Sequence, residues 1–317
     1  MKQVQSNRYQ HYLPKVYLKG FRAKADTRLG IWLYQAGARE VVFRDLERVA
    51  GSDFFYRDNL DPAHPDALDD EWKLSESGIG SILNGIRRER VLPPTGTSSF
   101  ELLMRFLADL AVRVPRVREM SVRNMQVLSK ELLSEPWVQH TLLADPIFSF
   151  GADPERIGLT EIIRLGQGRL ERVSLQTQAQ IHRHGVWDLR HKLFAELMRR
   201  HWRILSTSDA GVPLVAGDNP VIVHSDKWVV DTGFAHKRSL VTVAVSPWIA
   251  LEGSLSRPIA VEVLSELGRT HALRLNWLSL KTALREVFSS SETFAWKGDT
   301  GGETSIKDLI AKSNRKA

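Results

Sequence analysis

The period of the apolar residues divides this chain into three stretches, and that constrains its fold more than any single motif. After the segment His11–Phe21, two short β-rich runs stand at Ile31–Tyr34 and Val41–Phe43. The residues between them, Gln35-Ala36-Gly37-Ala38, suit a hairpin loop, and Asp58–Asp70, with Pro62 and Pro65, reads as a longer loop. The period then becomes helical. Leu74, Ile79, Ile82, Leu83 and Ile86 recur mostly at three- and four-residue steps, as one face of an amphipathic helix does. Pro93-Pro94-Thr95-Gly96 breaks that pattern. Ser98, with Glu101 three residues later, is a capping-box signature opening a second helix that stops near Pro115. A third helix is expected over Val117–Leu133, and helical pattern runs on from Leu159 to about Leu205, with a break at Gly185. Strand character returns at Val212–Val215, Val221–His224, Trp228–Val230 and Leu240–Val245. A long helix over Ala260–Phe288 and a polar, disordered tail over 301–317 complete the expectation. Strand-rich ends around a helical middle predict one α+β domain over residues 1–300. Its helices would pack on a small, mainly antiparallel sheet to which both ends of the chain contribute.

At 317 residues the chain is long enough to bury a substantial core. It holds no cysteine, which excludes disulfides, thiolate metal sites, Fe–S clusters and cysteine nucleophiles together. Lys and Arg number 44 against 37 Asp and Glu, a net charge of +7. That mild excess tolerates an anionic small molecule or a nucleic acid as partner without requiring one. Met1–Gln10 is polar and lacks the apolar region and cleavage site of a signal peptide. The most apolar stretch, Leu102–Val114, is interrupted by Arg105, Asp109 and Arg113 and is too short to span a membrane. A soluble cytoplasmic protein is the expectation.

Gly78-Ile79-Gly80-Ser81 has the look of a dinucleotide fingerprint, but the third glycine arrives too late, at Gly85, and no strand precedes it. No other nucleotide-cofactor signature, zincin helix or nucleophile elbow is present. Pro65-Asp66 followed by Glu71-Trp72-Lys73 resembles a restriction-type nuclease signature. Too few residues separate its halves for the neighbouring strands on which two carboxylates share a metal ion, so it is read as a chance match. His182–Arg203 is the most basic segment. Lys192, Glu196, Arg199 and Arg203 share one helical face and Leu193, Phe194, Leu197 and Met198 another, as in an amphipathic helix with a solvated face; a phosphate-tracking surface is the alternative. His182 and His184 fall on different faces of any helix and support no metal site. Gly217-Asp218-Asn219-Pro220 lies between two apolar runs and is first of all turn chemistry. It also aims a carboxylate and an amide from a strand end, where a general base or metal ligand would sit. His11-Tyr12-Leu13-Pro14 is open in the same way, between a hydrogen-bonded structural histidine and an acid–base group.

Taken together these segments resemble the domain of unknown function 4238 family. Its opening His-Tyr-x-Pro-x-x-Tyr-Leu-x-x-Phe pattern is matched by His11–Phe21, and its Trp-x-Tyr strand by Trp32-Leu33-Tyr34. Glu76-Ser77-Gly78, Arg113-Val114-Pro115, Trp202, Asp218-Asn219-Pro220 and Val245-Ser246-Pro247 follow in the family's order, and Asn276 resembles the Asn opening its last helix, followed by Ala283 and Arg285. Gly217 stands where the family usually has a hydroxyl, and Ala244 where it has proline. The resemblance brings no assigned activity with it.

It does bring His11, Glu76, Arg113, Asp218, Asn219 and Asn276, far apart in sequence, into one set of matched motifs. Charged and amide side chains of this kind are costly to bury unpaired, so the set is expected to converge in one cleft. Two carboxylates, an imidazole, a guanidinium and two amides are the inventory for hydrolysis or transfer at an anionic centre, a phosphoester or a nucleic acid. In that reading His11, Asp218 and Asn219 are catalytic, and Arg113, Asn276 and Tyr12 bind substrate. Glu76 with Asp218 would hold a divalent cation, Mg or Mn. The alternative is a non-catalytic module that binds a ligand or partner, its polar residues forming a structural network.

Overall fold

The computed structural model describes residues 9–56, 63–120, 189–230, 233–255, 264–298 and 301–314. The hairpin read at Gln35–Ala38 forms. β3 (Arg28–Gln35) and β4 (Val42–Arg44) pair antiparallel, and the turn closes with the Ala38 amide donated to the Gln35 carbonyl at 2.9 Å. Gly37 takes φ +79° there, a left-handed conformation that glycine reaches without steric cost. β3 also pairs with β12 (Glu286–Ser289), and β12 pairs in turn with β7 (Ala216–Gly217); β2 (Ala23–Ala25) joins the first half of β3. Strands from both ends of the chain thus share one sheet. A second sheet comes wholly from the later part. Its order is β11 (Leu264–Glu266), β6 (His201–Ser206), β10 (Ile249–Ser254), β9 (Ser239–Ser246) and β8 (Ile222–Ser225), with only β11 and β6 parallel. The α+β class therefore holds, with two five-stranded sheets where one small sheet was expected.

The opening motif docks the helical region onto the second sheet. Tyr17 and Leu18, in the short helix α1 (Lys15–Leu18), are fully buried, and the Tyr17 hydroxyl donates to the Ala244 carbonyl of β9 at 2.7 Å. Arg87, from α3 (Ile79–Glu89), donates through Nε to Val245 O (2.9 Å) and through Nη2 to the Val16 and Tyr17 carbonyls. Burial pushes its pKa down to about 10. Gly20 completes the seam, since a Cβ there would stand 2.2 Å from Val245 O.

The predicted helix through Leu74–Ile86 is two helices. α2 (Ala67–Ser75) begins inside the segment read as loop, and α3 follows Gly78, whose φ of +83° interrupts the backbone. α4 (Ser98–Val112) is capped one residue earlier than expected: the Thr97 hydroxyl accepts the Phe100 amide at 3.2 Å. Leu103, Phe106, Leu107 and Leu110 on α4 are buried, each contributing about 1.5–3 kcal/mol. The helix ends at Arg113 as Pro115 predicts, and Pro115 starts a further helical turn over 115–120, a position where its missing N–H costs nothing.

Other expectations change. Residues 189–198 are helical, but Leu205 lies in β6, because the alternating segment after Arg200 finds β10 as a partner. The span 260–288 holds β11, then α5 (Arg269–Thr282), then β12 in place of one helix. The tail is not disordered through 303–314: β14 (Glu303–Ser305) pairs with β13 (Ala295–Lys297), and α6 (Ile306–Asn314) follows with Ile306 buried against Phe294 and Trp296. Most of the 117–133 helix, the 159–188 stretch and His182 and His184 lie outside the described residues.

Candidate functional site

β1 (Tyr9–His11) pairs with β5 (Gly51–Asp53) and delivers His11 to a cleft of about 410 Å³. The cleft is lined by Tyr9, His11, Lys15, Glu47, Lys73 and Glu76, with Asp69 and Arg113 beside them. Three residues of the predicted set, from β1, the end of α2 and the end of α4, therefore meet. His11 is half-buried, edge-on to the Tyr9 ring at 5.1 Å, and its Nε2 lies 3.2 Å from the Leu46 carbonyl. A carbonyl only accepts, so Nε2 carries the proton and the lone pair of the neutral ring rests on Nδ1. Burial pushes the imidazole below the ordinary histidine range, with the Leu46 contact pulling the other way.

Arg113 anchors the cleft floor. It is 2 % exposed, and its fork is committed: Nη1 to Glu76 at 2.7 Å, Nη2 to the His11 carbonyl at 2.9 Å, Nε to the Tyr56 hydroxyl at 3.3 Å. Burial opposes its charge, but Tyr56 and Glu76 outweigh that and its pKa is raised; burial in turn pushes Tyr56 up to about 12. Trp72 of α2 packs against two guanidiniums, with Arg113 5.2 Å and Arg190 5.5 Å from the ring centroid. Arg190 neutralises buried Asp109 of α4 at 2.5 Å. Lys73 is held by Asp69 at 2.8 Å and by Asp70 at 3.0 Å, and Lys15 by Glu47 at 2.7 Å.

The other predicted residues are elsewhere. Tyr12, Asp218, Asn219 and Asn276 do not line the cleft. Asp218 is 1 % exposed and accepts the amides of Leu284, Arg285 and Glu286 at 2.7, 2.7 and 3.2 Å. Burial raises its pKa while those amides oppose the rise. Its carboxylate thus ends α5 and starts β12. Asn219 follows it, half-buried, in the turn. Asn276 is fully buried on α5; its Oδ1 accepts the Val215 amide at 3.0 Å, and its Nδ2 donates to the Pro213 and Ala295 carbonyls, each at 2.9 Å. Tyr12 donates to Glu286 at 2.5 Å, and that same carboxylate takes the Ala50 amide. Apart from the Tyr12–Glu286 side-chain pair, these contacts stitch backbone segments together.

The expected Glu76–Asp218 metal pair does not form: Glu76 serves Arg113, and both oxygens of Asp218 serve amides. Among the described residues no group of three or more His, Asp or Glu is placed to hold a metal ion. The basic stripe after His182 is likewise broken. Arg200 is buried, donating to the Ser239, Gly253 and Phe234 carbonyls, and Arg203 pairs with Glu252 at 2.5 Å.

Four charged residues of the cleft escape the sequence reading. Lys15 stands inside the opening motif, and Lys73 closes the Glu71-Trp72-Lys73 string, so both carry a local signal. Glu47 and Asp69 carry none, since only the fold brings them to His11. Gly217, which lacks the family's usual hydroxyl, packs so closely on α5 that a Cβ would meet Ser279 O at 2.9 Å.

No helix among the described residues is long and apolar enough to cross a membrane. No curated protein matches the chain, and no solved structure does. The motifs whose contacts are traced above lie within residues 9–293, which match the family described as "Protein of unknown function (DUF4238)", and to that family the chain belongs.

Proposed function

We propose that this protein is a ligand-binding module whose site is the His11 cleft and whose remaining polar residues are its structural frame. The observation behind this reading is the division of partners. Asp218, Asn276 and Tyr12, away from the cleft, and buried Arg113 at its floor are committed within the protein, whereas the partly exposed His11, Lys15, Glu47 and Lys73 border a space large enough for a small polar molecule. Lys15 and Lys73, with side chains about half exposed, favour an anionic ligand such as a phosphoester. A thermal-shift screen over phosphomonoesters, nucleotides, short nucleic acids and dicarboxylates tests it. The expected result is at least one class that stabilises the wild type and fails to stabilise His11→Ala and Lys73→Ala variants, each scored as the shift from its own unliganded melting temperature. Stabilisation that survives both substitutions, or none across the panel, overturns the reading.

A second reading, a hydrolase or transferase acting on such an anion, is favoured by one feature, the His11 ring. Neutral near pH 7, with Nε2–H held by Leu46 and no hydrogen bond to Nδ1 among the described residues, it has the form of a general base. Turnover of a cleft-bound phosphoester that His11→Gln abolishes while binding persists would establish it.

A further inference from the structure

Three cations border the cleft, each with an acidic partner, and the three pairs differ in what it takes to open them. Arg113 is 2 % exposed, so withdrawing Glu76 would leave a buried guanidinium uncompensated. Asp69 is 7 % exposed at the side chain, so withdrawing Lys73 would strand a buried carboxylate. Breaking a pair at a buried member is strongly unfavourable. Lys15 and Glu47 differ from both: their side chains are 45 % and 63 % exposed, and exposed pairs of this kind contribute little. Glu47 nevertheless engages Lys15 with both oxygens, at 2.7 and 3.0 Å. It does so from the 3-10 turn Leu46–Arg48, which Asp45 caps by accepting the Glu47 amide and whose Leu46 carbonyl takes the His11 proton.

We propose that Lys15 is the anion subsite of the cleft and that Glu47 is an internal stand-in which a phosphate group of the ligand displaces. The inference rests on the cleft being the ligand site. A tethered carboxylate competes at high effective concentration, so a free monocarboxylate, matching its charge and no more, gains little by replacing it. A phosphate dianion carries a stronger Coulombic attraction to the same ammonium, which selects phosphate over carboxylate. Once Glu47 swings out, the ligand stands between Lys15 and the imidazole already oriented by the same turn.

The probe is inorganic phosphate, with acetate as comparison, titrated calorimetrically at constant ionic strength into the full chain. Wild type should bind phosphate weakly and acetate not at all. Glu47→Gln, an exposed and nearly isosteric change, should tighten phosphate roughly fivefold, the upper end of what an exposed ion pair withholds. Adding Lys15→Gln should remove that gain. Glu40→Gln, which deletes a carboxylate from the β3–β4 loop, should leave phosphate binding at the wild-type level and so separates a local effect from net charge. Equal phosphate affinity in wild type and Glu47→Gln overturns the stand-in role, as does equal tightening by Glu40→Gln. Absence of phosphate binding in every variant also overturns it. In each of these outcomes the cleft reading stands or falls separately, on whether any panel compound depends on His11 and Lys73.

Discussion

The cleft at His11 and the frame around Asp218 use the same kinds of side chain to opposite ends. In the frame, Asp218 and Asn276 bond to main-chain amides and carbonyls of segments far away in sequence. Such a side chain cannot leave without orphaning buried backbone groups, each worth about 1–3 kcal/mol. In the cleft, Lys15 and Glu47 bond to each other at the surface and can part at small cost. Whether a polar residue is free to act on a ligand therefore depends less on its type than on whether its partner is backbone or an exposed side chain. Arg113 stands between the two: it borders the cleft, yet its donors are committed to Glu76, Tyr56 and the His11 carbonyl.

The largest effect should come from breaking the frame. Asp218→Asn leaves one oxygen to face three amides and turns an NH₂ towards donors, so a loss of about 2–4 kcal/mol is expected in urea unfolding. A loss below about 1 kcal/mol would place Asp218 with the exchangeable groups instead.

A smaller, pH-dependent effect contrasts two histidines. His224 of β8 is buried, and its ring bridges Ser225 O and Thr242 Oγ1, each at 2.9 Å, which the neutral form satisfies with one donor and one acceptor. Burial holds both His224 and His11 below their ordinary value of 6.5. With folded pKa values below the unfolded ones, the unfolded chain takes up protons first as pH falls. The stability they contribute is complete above about pH 6.5 and is lost as pH drops through the folded values. Thermal melts should therefore decline below pH 6.5, and His224→Gln should flatten that decline more than His11→Gln, whose ring is only half-buried. The smallest effect belongs to Glu47→Gln, expected to alter unfolding stability by less than about 1 kcal/mol; a larger change would mean that the turn is structural after all.

Much of the architecture was legible locally. The β3–β4 hairpin shows in a glycine-containing loop between β-branched runs, and the end of α4 in a proline that cannot continue it. The misreadings share one cause. Thr97 and Ser98 are both competent caps, and which hydroxyl faces the Phe100 amide depends on how the chain leaves Pro94, whose carbonyl the Thr97 hydroxyl also bonds. Residues 284–288 continue a plausible helical pattern, but Asp218 captures the amides of 284–286 and β3 supplies a strand partner for 286–288. The 303–314 segment is polar enough to read as a tail, and it folds because β13 and the apolar group of Phe294, Trp296 and Ile306 give it somewhere to dock. For the site, His11, Glu76 and Arg113 were legible and do meet; Asp218, Asn219, Asn276 and Tyr12 were equally legible and do not join them.

The chain's own residues determined its class, since alternating apolar runs at both ends and a helical period between them leave few ways to bury apolar surface. Through the motifs that hold them they also singled out Arg113, Asp218 and Asn276, three polar residues that the fold buries. Tertiary structure alone decided the partner of each: an aspartate at a turn reads the same whether it faces water or three amides, and only the arrival of residues 284–286 beside it settled the matter.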